Sequence, residues 1–254
     1  MKQVYICNDT ITGIFSALYD AWKESRDKEA GIELRGKMQQ QFFCEYKVVE
    51  ESGEKAFQLE RMVKRHLGYN AYRDIYHALL SDDERKGDAV FRTMQEARRI
   101  EDSRRIMEHL SNPDVAKVFQ LSRSVLNEAH LYREFIRFRE LDSGILFSEI
   151  SPKAQILTCI AEHFSDRFPL ENWMVYDKTH QVILVHQARG QWGLVWGKGP
   201  DKEATERLSD KEQEYETLWK VFFDSIAIRE RKNSCLQKTH LPLRYREGMP
   251  EFSD

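Results

Sequence analysis

The hydrophobic period of this chain is mostly helical up to residue 132 and mostly strand-like after it, and that shift points to its fold class. In the first half, apolar residues recur mainly every three or four positions. Ile11, Ile14, Phe15, Leu18 and Trp22 form one such stripe, and Val115, Val118, Phe119, Val125, Leu126 and Ala129 form another behind Asn112-Pro113. This is the period of an amphipathic helix, and Asn followed by Pro is the capping chemistry that starts one. From residue 133 onward short strand-like runs replace it: Phe135 to Leu141, Ile145 to Ile150 across a Ser143-Gly144 turn, Trp173 to Tyr176, Val182 to His186 and Trp192 to Trp196. Short apolar and aromatic runs joined by Gly- and Ser-containing turns mark antiparallel strands. The fold class expected is α+β: a mostly helical N-terminal half, then an antiparallel sheet (hairpin plus meander) in the C-terminal half packed by helices.

Finer divisions follow from the same reading. Val4 to Cys7 reads as a strand, Asn8-Asp9-Thr10 as a turn and helix cap, and residues 41–50 as a second strand. The stretch 54–132 is helical, with breaks near Gly68 and Ser81-Asp82. Ser151-Pro152 opens a helix whose apolar side is Ile156, Leu157, Ile160, Ala161 and Phe164. A last helix carries Tyr215, Leu218, Trp219, Phe222, Phe223, Ile226 and Ile228, followed by a tail of turns and prolines. The chain is expected to be one domain over 1–254, with a helical part at 54–132 and the sheet, C-terminal helix and basic tail at 133–254.

Charge narrows the possible functions. The formal net charge is −3, so no bulk positive field draws the protein to nucleic acid and any such contact needs a local patch. The four cysteines, Cys7, Cys44, Cys159 and Cys235, lie far apart with no C-x-x-C pair, which removes zinc-ribbon and iron–sulfur spacing and suits a reducing compartment. No run approaches the roughly 20 apolar residues of a membrane span, and the opening apolar run is too short for a secretory signal. A cytoplasmic protein without membrane contact is expected. No P-loop, dinucleotide fingerprint, G-x-S-x-G or H-E-x-x-H occurs, so neither cofactor nor metal is expected.

Three stretches together resemble a known family. The first is Tyr5-Ile6-Cys7-Asn8-Asp9-Thr10-Ile11-Thr12-Gly13-Ile14-Phe15-Ser16-Ala17-Leu18-Tyr19. The second runs from Asn127-Glu128-Ala129-His130 through Phe135-Ile136-Arg137-Phe138 to His163-Phe164-Ser165-Asp166-Arg167-Phe168 and Asn172-Trp173. The third holds Leu218-Trp219-Lys220, Ile226-Ala227-Ile228-Arg229-Glu230-Arg231-Lys232-Asn233, Leu236-Gln237, Leu241-Pro242-Leu243-Arg244-Tyr245 and Pro250-Glu251-Phe252. In order and spacing these resemble a bacterial family built on a domain of unknown function and described as DNA metabolism or DNA repair proteins. The resemblance implies DNA as a partner. It also implies a radical SAM protein that modifies or repairs DNA, whose gene accompanies members of the family, some of which are fused to a uracil-DNA-glycosylase-like domain. The first turn of relatives more often reads Asp-Gly where this chain has Asn8-Asp9-Thr10.

Three constellations could carry the chemistry. In the C-terminal segment Arg229, Arg231, Lys232, Lys238, Arg244 and Arg246 oppose the single acid Glu230, with Asn233, Gln237 and Tyr245 interleaved. Such cations neutralise phosphates while amides and rings add hydrogen bonds and stacking. The plain alternative is pairing with residues 201–216, where seven Asp/Glu face three Lys/Arg. The second constellation is Glu128, His130, Arg133, Arg137 and Arg139, with Arg137 and Arg139 on one strand face as a phosphate platform or as partners of nearby glutamates. The third is His163, Asp166 and Arg167, which Glu128 and His130 could join. Here the histidines and acids are candidate acid–base groups and Arg167 a phosphate contact, against a structural role for His163 near a helix C-terminus. His66, His77, His109, His180 and His186 read as structural. Three functions therefore stand: a DNA-binding accessory protein for the radical SAM partner; an enzyme on nucleic acid using His130 and His163; and an adaptor docking through 54–110 without touching DNA.

Overall fold

Val4, Tyr5, Ile6 and Cys7 are all buried, an unbroken apolar run of the kind that sits in the middle of a parallel sheet. In the computed structural model, which describes residues 2–24, 29–36, 43–228, 231, 233–246 and 248–252, this run is the central strand β1 (Lys2–Cys7). It is flanked in parallel by β2 (Ala30–Leu34) and β3 (Cys44–Val48), in the order β2-β1-β3. Residues 41 and 42 of the expected second strand lie outside the described residues; β2 was not foreseen. The chain divides at Asn127/Glu128 into two compact units.

In the first unit α1 (Ile11–Glu24) begins where Thr10 Oγ1 accepts the Gly13 amide at 2.9 Å. A Cβ at position 13 would come within 2.8 Å of the Asn8 carbonyl, so only glycine fits this turn. Helices α2 (Gly53–His66) and α3 (Gly68–Leu79) break at Gly68, whose φ of +84° suits glycine. Next come α4 (Lys86–Ala97), a 3-10 turn (Ser103–Glu108) and α5 (Pro113–Phe135), started by Asn112, whose side chain accepts the Asp114 amide at 2.9 Å as expected. Ile14, Phe15, Leu18, Leu59, Ile75, Phe91 and Val118 meet in the core of this unit.

One partly buried histidine makes this unit sensitive to pH. His77, on α3, has its pKa held below the usual value by burial and then by the Arg73 charge. Its folded-state pKa therefore lies below the unfolded value near 6.5. The stability contributed by the neutral ring is complete above that pH and is lost as pH falls through it. Urea unfolding of the protein at pH 7 and pH 5 is expected to give a lower midpoint at pH 5, and His77→Asn is expected to flatten the difference.

The second unit holds β4 (Arg139–Glu140), β5 (Leu146–Ile150), α6 (Leu157–Arg167), β6 (Trp173–Asp177), β7 (Val182–His186) and β8 (Trp192–Trp196), with the strands in that order in one five-stranded sheet. The α+β class holds and the strands join in one sheet, but the sheet is mixed: β5 and β6 run parallel while the other pairs are antiparallel. The reason is α6, which crosses between β5 and β6 and returns the chain in the same direction. Two other boundaries move. Phe135 still belongs to α5, so residues 136–138 are not strand and Arg137 and Arg139 do not form a row on a sheet. Ser151-Pro152 does not open α6, which starts six residues later at Leu157. Trp173 is fully buried, stacked on His186 at 5.0 Å and edge-on to Phe138 and Phe164. After the sheet come α7 (Lys202–Glu206), α8 (Asp210–Ile226) and α9 (Ser234–His240), the last within the tail expected to be only turns, then 3-10 turns at Leu243–Tyr245 and Pro250–Phe252. Among the described residues no helix is long and apolar enough to cross a membrane.

Candidate nucleic-acid interface

At positions 128, 132 and 135 the last turns of α5 present Glu128, Tyr132 and Phe135 on one side, the spacing of neighbours on a helix face. The tail packs there. Tyr245 meets Tyr132 edge-on at 4.8 Å and Phe135 at 5.7 Å. Arg244 ion-pairs with Glu128 at 3.2 Å and donates to the Tyr245 hydroxyl at 2.6 Å. The Glu128 carboxylate also accepts the amides of Lys153 at 3.1 Å and Ala154 at 2.9 Å. One buried acid thus fastens α5, the loop before α6 and the tail. Burial, with Glu128 nearby, raises the Tyr132 phenol, and burial raises that of Tyr245 despite the Arg244 charge, so both stay neutral at physiological pH.

The other arginines of the candidate set also have partners of their own. Arg133 donates to the Cys159 carbonyl on α6. Arg137 lies 3.6 Å from Glu251 and over the Trp219 ring at 4.9 Å, while the Trp219 indole donates to the same carboxylate at 2.9 Å. Arg137, Arg139, Tyr215 and Trp219 line an open cavity of about 350 Å³ beside β4 and α8. Arg246 donates to the Leu241 carbonyl at 3.2 and 3.1 Å and covers Phe252 at 4.4 Å. Arg167 lies over Phe168 at 5.7 Å. These contacts use the guanidinium fork as a fastener, a role lysine could not fill.

The exposed part of the basic segment is different. Arg231, Gln237 and Lys238 are exposed, and Asn233 caps α9 by accepting the Leu236 amide at 3.0 Å. Arg229 and Lys232 lie outside the described residues. The acidic stretch 201–216 is held by β4 instead: Glu140 donates its amide to Glu212 at 3.1 Å, and Leu208 bridges to Leu141. Among the described residues no ion pair joins a tail cation to 201–216; Arg244 goes to Glu128.

Among the described residues no hydrogen bond or ion pair joins Glu128, His130 and His163 to one another. His130 is exposed and pairs with Glu134 at 3.0 Å one turn along α5. His163 and Asp166 are exposed on α6. The His163 pKa is lowered by burial and then by the Arg133 and Arg167 charges. Among the described residues no group of three or more His, Cys, Asp or Glu is arranged to hold a metal ion. The structural role of His180 and His186 is visible: His180 Nδ1 lies 2.6 Å from buried Asp177, and His186 Nδ1 lies 3.0 Å from the Glu171 carbonyl.

The structurally important residues missed in the sequence are the fasteners. Glu251 falls in the Pro250-Glu251-Phe252 stretch of the family resemblance, but nothing there marks it as the partner of Arg137 and Trp219. Lys86 cannot be told from the solvated lysines of a charged helix, yet its side chain is fully buried, 2.5 Å from Asp9 and 2.6 Å from the Ser81 carbonyl.

The fold and the site define a two-unit α+β protein whose second unit combines a mixed sheet, flanking helices and an exposed basic segment. The chain belongs to the family described as a domain of unknown function, DUF4130, whose model matches residues 84–251 and so reaches into both units. No curated protein matches it.

Proposed function

We propose that this protein binds DNA through its C-terminal basic segment and acts as an accessory to a radical SAM protein of DNA modification or repair. One observation carries the DNA contact: Arg231 and Lys238 stand exposed in a segment with a single acid, and among the described residues neither makes an ion pair with the acidic stretch 201–216, whose Glu212 bonds to β4. On a chain of net charge −3 this is where phosphate is met. Arg244, Tyr245 and Arg246 support that surface from beneath, since their side chains hold the tail to α5 and to its own end. The partnership with a radical SAM protein rests on the family resemblance.

Duplex, single-stranded and lesion-containing oligonucleotides titrated between 50 and 200 mM salt are the test. Arg231 and Lys238, together with Arg229 and Lys232 counted from the sequence of the same segment, give an expected slope of log K against log salt of about −3 to −4 on duplex. The double variant Arg231→Ala/Lys238→Ala is expected to weaken binding to all sequences alike and to reduce the slope by about 2. A flat salt response, or no binding at low salt, refutes the reading.

A further inference from the structure

The five-stranded sheet of the second unit has one closed edge and one open edge. At the β4 edge the chain at 207–209 runs alongside. Asp142 donates its amide to the Arg207 carbonyl at 2.9 Å, Ser209 donates its amide to the Glu140 carbonyl at 3.0 Å, and Leu208 bridges to Leu141. At the other edge stands β8, and among the described residues no strand or bridge lies beyond it. Its sequence, Trp192-Gly193-Leu194-Val195-Trp196, holds no charge and no proline, the devices that ordinarily guard an edge. Trp196 is 72% exposed and Val195 49%.

The pairing with β7 decides which backbone groups are left over at this edge. Gly197 donates its amide to the Gln181 carbonyl at 3.2 Å, and the register runs from Val182 opposite Trp196 to His186 opposite Trp192. Hydrogen-bonded and non-bonded pairs alternate along antiparallel strands. Val195 and Gly193 therefore turn their amides and carbonyls to β7. Trp192, Leu194 and Trp196 turn theirs outward.

We propose that β8 pairs antiparallel with β8 of a second copy about a two-fold axis at Leu194, joining the two sheets into one. The strand is close to a palindrome about that axis, with a tryptophan two residues to either side of the leucine. The same axis sets outward backbone groups against outward backbone groups. Leu194 meets Leu194 of the partner subunit, and Trp192 meets Trp196 of the partner subunit, in hydrogen-bonded pairs that close about six hydrogen bonds. Any shift of register leaves outward groups, or a tryptophan of each copy, without a counterpart. Residues directly opposite on antiparallel strands share a face, so the tryptophans gather round the two leucines on one side. On the other side Gly193 leaves room for Val195 of the partner subunit. An unrelated extended segment would satisfy the backbone groups but not this match of side chains, which selects a second copy. Because the β4 edge is closed, the assembly stops at two chains. This pairing needs no DNA and is tested without it.

Sedimentation from about 1 to 100 μM is expected to show the mass rising from that of one chain toward twice that value and no further. Gly193→Lys and Trp196→Lys are each expected to remain single chains throughout, with unchanged circular dichroism. A Cβ at position 193 meets nothing within 4 Å in the single chain, and the Trp196 side chain is exposed. Register is read by mild oxidation in a Cys44→Ser/Cys235→Ser background. The Cys7 and Cys159 thiols are pushed up to about 12 and about 11 by burial and react slowly. Leu194→Cys is expected to form a disulfide with its counterpart, since Cα atoms of a hydrogen-bonded pair lie about 5.5 Å apart. Trp196→Cys is expected not to, since its counterpart lies on the order of 14 Å away along the strands. A single chain at the highest concentration overturns the proposal, even if another protein binds the edge. So does dimerisation of both lysine variants as strong as that of the unaltered chain. Growth beyond two chains, or an efficient disulfide at position 196, overturns the two-fold pairing at Leu194.

Discussion

Asp9→Ala is expected to destabilise the first unit by about 3 kcal/mol, and Lys86→Met by only roughly 1 kcal/mol. The two side chains form one ion pair at 2.5 Å, but they are not equally buried: Lys86 is wholly enclosed and Asp9 is 32% exposed. Removing the aspartate takes the counter-charge from a wholly enclosed ammonium group, and a neutral acceptor such as the Ser81 carbonyl does not replace that charge. Removing the lysine lets Asp9 rehydrate, while Met refills the volume. The pair ties the start of α4 to the β1–α1 turn, so the loss falls on the sheet and its covering helices. Calorimetry is the measurement. A loss of about 3 kcal/mol lowers the transition of a unit this size by roughly 10 °C. Equal and small effects for both variants would mean that water reaches the pair.

Glu128→Ala is expected to cost the second unit about 3 kcal/mol, with Glu128→Gln intermediate. The alanine variant leaves the Lys153 and Ala154 amides without their acceptor and Arg244 without its counter-charge. His130→Ala, by contrast, is expected to stay within about 0.5 kcal/mol, because its pairing with Glu134 is solvent-exposed. The comparison separates two roles for Glu128. A fastener loses stability and, with it, the placement of the tail. An acid–base group would lose a reaction on DNA while the denaturation midpoint stayed in place. Limited proteolysis of Glu128→Ala is expected to cut the tail near Arg244 first.

Much of the fold was legible because it is written in local periods. The α3 start at Gly68, the α5 cap at Asn112 and the strands β6, β7 and β8 each follow from residues within one turn or one hairpin. Strand β2 was missed because Ala30, Gly31 and Glu33 have weak strand propensity, and it is made by pairing with β1. The expected hairpin at 135–150 shrank to a two-residue β4 because Phe135 completes the α5 face that receives Tyr245. The tail shows the limit most clearly. Its positive charge is plain in the sequence, but nothing local tells that Arg244 turns to Glu128 and Arg246 to Leu241 while Arg231 and Lys238 face solvent.

By itself the sequence determined the α+β class, the positions of most helices and strands, and a basic segment on a net-acidic chain, because periodicity, capping and charge are properties of neighbouring residues. The tertiary structure alone decided that the sheet is mixed, that Lys86 is buried, which arginines are fasteners, and that Tyr215, Leu218 and Ile226 of α8 stay more than half exposed. These depend on contacts between residues tens of positions apart. Burial and pairing at that range are set by how the elements pack, and no local pattern encodes them.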